Sequence, residues 1–168
     1  MSAHMPLDEA PELSQHVKDE IERWKARFPA EGRRSAVIGA LHAVQHENGW
    51  LSPALMDRVA EYLELPAIQV YEAANFYSMF HTVPVGRNEV SICTNISCML
   101  CGADEVVAYV EKKLGIRLGE STPDGRIFLK KEEECLAACC GAPMMMVNHR
   151  YHENLTPEKI DAILDELE

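Results

Sequence analysis

Apolar residues recur with helical spacing through the first half of the chain. Val17, Ile21, Trp24 and Phe28 stand at i, i+4, i+7 and i+11, one face of a helix that Pro29 and Gly32 end. Val37, Leu41 and Val44, with Ala36, Ala40 and Ala43 beside them, predict a second helix, and Asn48-Gly49 supplies a left-handed stop. Ser52-Pro53 reads as an N-cap followed by proline at the first helical position. Leu55, Met56, Val59, Tyr62 and Leu63 form the stripe of that third helix, and Leu65-Pro66 opens a fourth carrying Val70, Ala74 and Tyr77. The pattern predicts a small helical bundle over residues 1–84.

The period changes after the joint Pro84-Val85-Gly86-Arg87-Asn88. Glu89 to Cys93 alternates polar and apolar, a strand pattern. Asp104 to Leu114 is helical, with Val106, Val107, Val110 and Leu114 on one face and Gly115 as its stop. Ile116–Leu118 and Arg126–Leu129 flank the Pro123-Asp124-Gly125 turn and predict two antiparallel strands. Met144–Val147 predicts another strand, with a cis peptide at Ala142-Pro143 ahead of it. Thr156-Pro157 caps a last helix that turns Ile160, Ile163, Leu164 and Leu167 inward. The expected fold class is α+β, with a second domain over residues 85–168.

Composition narrows the function. The chain has 168 residues, 47% hydrophobic and 26% charged, which sets aside disordered and low-complexity classes. Its formal net charge of −11, shared between both halves, disfavours nucleic acid and anionic membranes as partners. No run approaches the roughly 18–20 apolar residues that span a bilayer, so no membrane insertion is expected. Met1 to Pro6 has neither a basic start nor an apolar run, so a cytoplasmic location is the default expectation.

The chemistry lies in the cysteines. There are six, all between Cys93 and Cys140. Cys93-Thr-Asn-Ile-Ser-Cys98 and Cys135-Leu-Ala-Ala-Cys139 are two pairs about forty residues apart, each in a loop after a predicted strand. If the fold joins the loops, four thiolates enclose one soft-metal centre. Ser97, Gly102, Ala137, Ala138 and Gly141 leave room for backbone N–H groups to approach the sulfurs. Structural zinc remains open, as does a thiol–disulfide oxidoreductase using Cys98-Met-Leu-Cys101. Cys101 and Cys140 read as small packed side chains, or as a redox-dependent disulfide pair beside the centre. Met144-Met145-Met146 reads as core packing. His42 and His46, four apart, read as solvated rather than metal-bound. The aromatic run Phe76 to His81, closing the fourth helix, reads either as core or as a surface for another domain or subunit.

A resemblance sharpens this. Ala40-Leu41-His42, Gly49-Trp50-Leu51-Ser52, Val70-Tyr71-Glu72-Ala73-Ala74-Asn75-Phe76-Tyr77-Ser78-Met79-Phe80, Pro84-Val85-Gly86, Cys93-Thr94 with Cys98, Thr122-Pro123-Asp124-Gly125, Glu134-Cys135-Leu136-Ala137-Ala138-Cys139 and Ala142-Pro143-Met144 stand in order along nearly the whole chain. The sequence resembles the E-type, thioredoxin-like [2Fe-2S] subunit of NADH:quinone oxidoreductase, respiratory complex I. The resemblance implies an N-terminal helical bundle followed by a thioredoxin-like [2Fe-2S] ferredoxin domain. It implies one [2Fe-2S] cluster held by Cys93, Cys98, Cys135 and Cys139. It implies a one-electron carrier in the peripheral arm of a membrane-associated complex, bound to the flavoprotein subunit that holds FMN and oxidises NADH. Related subunits serve NAD-linked hydrogenases and formate dehydrogenases, and a free-standing ferredoxin is a further alternative. Cys101 and Cys140 exceed the four cysteines the family pattern requires.

Overall fold

The computed structural model describes residues 12–131 and 135–168; the Met1–Pro6 stretch and Glu134 lie outside the described residues. The chain divides into two units, the first reaching Pro84 and the second beginning at Val85.

In the first unit four α-helices surround one aliphatic core. Helix α1 (Gln15–Lys25) starts where the Ser14 hydroxyl accepts the Val17 N–H at 3.2 Å, and it buries Val17 and Ile21. It ends one turn before the expected Phe28. Pro29 disfavours helical geometry in the residue before it, and the chain tightens through Arg27 and Phe28 N–H bonds to Trp24 and Lys25 carbonyls. Helix α2 (Val37–Asn48) packs so closely on α1 that a Cβ on Gly39 would meet the Trp24 ring at 2.4 Å. Gly49 stops it at φ +80°, as the Asn-Gly pair predicts. Helix α3 (Pro53–Leu63) carries the Ser52 cap and the Pro53 start, and buries Leu55, Met56, Val59 and Leu63. Helix α4 (Ala67–Phe76) buries Val70 and Ala74.

Gln45 ties the chain after α4 back to α2: its amide donates to the Met79 carbonyl at 2.8 Å and accepts the His81 N–H at 2.7 Å. The aromatic run therefore divides, with Phe80 buried and Phe76 80% exposed. His42 and His46 are exposed; His42 meets Met79 Sδ at 3.0 Å and the Phe80 ring edge-on. No helix among the described residues is long and apolar enough to cross a membrane.

The second unit is a four-stranded sheet in the order β2-β1-β3-β4, with β1 (Asn88–Ile92), β2 (Ile127–Leu129), β3 (Met145–Val147) and β4 (Arg150–His152). Strands β1 and β2 are parallel, so a crossover must join them; α5 (Ile96–Leu100) and α6 (Ala103–Leu114) lie in it. The other pairings are antiparallel. Val90 and Ile92 alternate onto one face, where Val106 and Val110 of α6 and Ile160 and Leu164 of α7 (Pro157–Asp165) complete a core. Gly86 lies against β2, where a Cβ would sit 2.4 Å from the Ile127 carbonyl carbon. The Ala142–Pro143 peptide is cis, as expected.

One expected pairing is corrected. Ile116–Leu118 forms no strand; the segment that returns alongside β2 is 119–122, where the Thr122 N–H meets the Ile127 carbonyl and the Leu129 N–H the Glu120 carbonyl. The tight Thr122–Gly125 turn fixes that register, and Gly119, at φ +88°, bends Ile116–Leu118 away to pack on the core instead. Strand β4 carries no apolar alternation and was not expected; it pairs Met145 with His152 along the edge of the sheet.

Candidate functional site

Strand β1 delivers Cys93 to its end, where the Cys93 N–H donates to the Met144 carbonyl at 3.2 Å. Asn95 then caps α5, its side-chain oxygen accepting the Ile96 N–H at 2.8 Å. That single turn turns Cys98 inward, 2% exposed, against Ala103, Leu136 and Met144. The turn ends at Cys101, and Gly102 at φ +91° swings the chain into α6.

The second loop runs from Cys135 through a 3-10 turn at Cys139–Gly141. Leu136 is buried beside Cys93 and Cys98, whereas Cys135 and Cys139 are exposed. Ala137 sits at φ +59° and its N–H donates to Cys135 Sγ at 3.3 Å. Asn154 and Leu155 N–H groups hold the Gly141 and Pro143 carbonyls at 2.6 and 2.9 Å, so the chain after β4 anchors this loop.

The two loops meet at their sulfurs. The Cys93 thiol interacts with the thiols of Cys98 and Cys135, and the charge of Cys139 reaches Cys98. Burial pushes the Cys93 thiol up, but the Leu136 and Asn95 N–H groups with the Cys98 and Cys135 thiols outweigh it and hold Cys93 below its ordinary value. Burial, the Cys93 thiol and its charge push Cys98 up to about 11, against the Met144 N–H. A nucleophilic dithiol needs an accessible thiol of lowered pKa, and Cys98 has neither property.

The expectation of packed side chains at Cys101 and Cys140 is corrected: both are exposed free thiols. Cys101 closes a helix of one turn, and Cys140 rides on the outside of the 3-10 turn whose Gly141 is buried. Among the methionines, Met144 and Met145 are fully buried and Met146 half-buried, in keeping with core packing. Met144 also has a role that sequence reasoning missed, since its backbone joins Cys93 to Cys98 through one carbonyl and one N–H. Asn95 and Leu136 were missed as donors too; of the N–H groups aimed at sulfur, only that of Ala137 belongs to the small residues the sequence singles out.

The donors fit a binuclear iron–sulfur group. Soft thiolates offered in twos, each pair from its own loop, with backbone N–H groups on the sulfurs, are the environment such clusters take. Among the described residues no three His, Cys, Asp or Glu side chains surround a single point at metal-binding range. A two-iron cluster has no need of that, because each iron takes two protein ligands. Neither residues 93–103 nor residues 135–147 contain a charged residue or a histidine, although the chain is 26% charged. Ile96, Met99 and Leu100 stand out from α5 at 68%, 49% and 77% exposure, so an apolar lip borders the sulfurs.

Comparison with known proteins agrees with this chemistry. The family described as thioredoxin-like [2Fe-2S] ferredoxin matches residues 21–168. The E 2 subunit of NADH-quinone oxidoreductase of Rhizobium meliloti is 45% identical, the match covering 89% of this chain and 87% of that protein. The NADH dehydrogenase [ubiquinone] flavoprotein 2, mitochondrial, of Dictyostelium discoideum is 38% identical over 98% of this chain and 65% of its own length. The crystal structure of an air-oxidized NAD+-reducing [NiFe]-hydrogenase shares the fold at a TM-score of 0.66 and 21% identity, over 75% of this chain and 22% of that one. The chain belongs to the thioredoxin-like [2Fe-2S] ferredoxin family, among the relatives of the E-type subunits of NADH-quinone oxidoreductase.

Proposed function

We propose that this chain is the [2Fe-2S] electron-transfer subunit of an NADH:quinone oxidoreductase, with Cys93, Cys98, Cys135 and Cys139 as the cluster ligands. When bound, the cluster stores and passes on one electron at a time. It exchanges that electron with the FMN of a partner flavoprotein subunit that oxidises NADH, in the peripheral arm of a membrane-associated complex. The observation that carries the reading is the convergence of thiols from two separate loops, with backbone N–H groups directed at their sulfurs.

This chain's own residues then do three things. Leu136, Met144 and the aliphatic core behind them keep water from the buried side of the sulfurs. The N–H groups of Asn95, Leu136, Ala137 and Met144 stabilise negative charge on the thiolates. The uncharged lip of Ile96, Met99 and Leu100 lets an apolar partner surface approach the exposed cysteines without stripping water from ions. Relatives 44% and 45% identical, named for quinone oxidoreduction, support the respiratory assembly over the hydrogenase one, whose likeness is one of fold.

Anaerobic purification tests this directly. The expected product is brown, with two irons and two acid-labile sulfides per chain and an electron resonance signal on reduction. Cys135→Ser is expected to lose iron or alter that signal, and an unchanged iron content and spectrum would remove Cys135 from the ligand set. A colourless protein holding zinc alone overturns the reading.

A further inference from the structure

Among residues 135–140 the one buried side chain is that of Leu136, 5% exposed. It stands one residue after Cys135 and three before Cys139, both of them exposed. Leu136 enters a buried cluster whose other members, Cys93, Cys98, Ala103 and Met144, all come from outside this loop. Burying a leucine side chain is strongly favourable, so Leu136 fixes where the loop lands. The loop's own bonds do something else. The Ala137 N–H to Cys135 Sγ at 3.3 Å and the Gly141 N–H to the Ala138 carbonyl at 3.0 Å close within the loop and set its internal shape. The Asn154 and Leu155 N–H groups hold Gly141 and Pro143, beyond Cys139. Next to Cys135, the side chain that reaches the first loop is Leu136.

We propose that Leu136 is a positioning residue, a pin that seats Cys135 and Cys139 against Cys93 and Cys98, so that its size governs how firmly the cluster is held and how readily it is reduced. The inference rests on those four cysteines being the ligands. Reduction adds one negative charge to an anionic thiolate cluster, and water admitted beside the sulfurs stabilises that charge. A smaller side chain at position 136 therefore makes the cluster easier to reduce and, with the loop less firmly seated, quicker to lose its iron.

The test is a series in the purified full chain, loaded under anaerobic conditions. Leu136→Ala is expected to be about tenfold easier to reduce, which is about 59 mV more positive for one electron, in a dithionite titration followed by electron resonance. It is also expected to yield iron to a chelator faster and to show stronger deuterium coupling to the cluster spin in heavy water. Leu136→Met, of similar volume, is expected to return all three readings to those of the wild type. Leu136→Val is expected to fall between, and it stands in for Leu136→Ala if that variant takes up no cluster. Leu164→Ala empties a separate core, where α7 packs on the sheet. It is expected to unfold at lower temperature yet keep the wild-type potential and deuterium coupling. Wild-type readings in the smaller variant, Leu136→Met displaced as far as that variant, or Leu164→Ala displaced to the same extent would each overturn the pin. Iron and sulfide content of the wild type and of Cys135→Ser decide the ligand reading separately, so a fully loaded protein indifferent to residue 136 sinks the pin alone.

Discussion

The loop after β1 keeps Cys93 and Cys98 inside the protein, whereas the loop that enters β3 leaves Cys135 and Cys139 at the surface. The first is ordered by packing and by a helix cap, with Cys98 wedged among Ala103, Leu136 and Met144 and Asn95 closing the start of α5. The second is ordered by its backbone, through the left-handed Ala137 and two carbonyls gripped from Asn154 and Leu155. Two routes to one arrangement of sulfurs imply two kinds of fragility. A cysteine side chain lost from the first loop damages the fold, and one lost from the second damages only the site.

Serine replacements give the largest expected contrast. Cys98→Ser places a hydroxyl in a buried apolar position, and the iron-free protein is expected to lose about 1–3 kcal/mol of stability. Cys139→Ser exposes its hydroxyl to water and is expected to change the same quantity by no more than about 0.5 kcal/mol. Both are expected to lose iron. Denaturant unfolding of the iron-free variants measures the difference, and equal losses would erase the distinction between the loops.

The lip on α5 separates the loops again. Leu100→Glu is expected to weaken capture of the partner flavoprotein about tenfold, or about 1.4 kcal/mol, because the charge must be desolvated against an apolar surface. Cys140→Ser, on the outer side of the second loop, is expected to leave both capture and cluster spectrum unchanged. Titration calorimetry with the flavoprotein reads the first effect. Full affinity in Leu100→Glu would move the partner surface away from α5.

What could be read from the sequence follows how local its cause is. Gly49, Ser52-Pro53 and Thr156-Pro157 end or begin helices through their own backbone and side-chain chemistry, so they were legible residue by residue. The cysteine pairs were legible as spacing, and the resemblance extended them to a cluster. Strand β4 was not, since Arg150-Tyr151-His152 lies at an edge where only one neighbour dictates its form. Ile116-Arg117-Leu118 misled because two alternating apolar side chains pack on the core equally well without strand pairing. The exposure of Cys101 and Cys140 and the positive φ of Ala137 depend on where one loop lands against the other, which no window of sequence contains.

Removing the cap sharpens the first loop's account at a smaller scale. Asn95→Ala takes away the acceptor of the Ile96 N–H and is expected to cost about 1 kcal/mol in thermal unfolding. A loss that small would still be informative, because the same substitution leaves the second loop's donors in place. An unchanged cluster potential would show that the residue-95 backbone N–H on Cys93, which the substitution keeps, holds its place without the side-chain cap.

The smallest effect concerns what holds the second loop. His152 pairs with Met145 at the edge of the sheet, two residues before the Asn154 N–H that grips Gly141. Burial, then the charges of Arg150 and Lys159, hold its pKa below the ordinary histidine value. The unfolded chain therefore takes up a proton near pH 6.5 while the folded ring does so only at lower pH. Stability is whole above about pH 6.5 and falls as pH drops through the folded value, by a small amount because the ring is partly solvated. His152→Gln removes the titrating group, so its stability between pH 7 and pH 5 is expected to run flatter than that of the wild type. The same acidification should speed amide exchange at Asn154 in the wild type, since that N–H lies just beyond the weakened strand. Parallel stability curves for the two proteins would detach the anchor of the second loop from the protonation of β4.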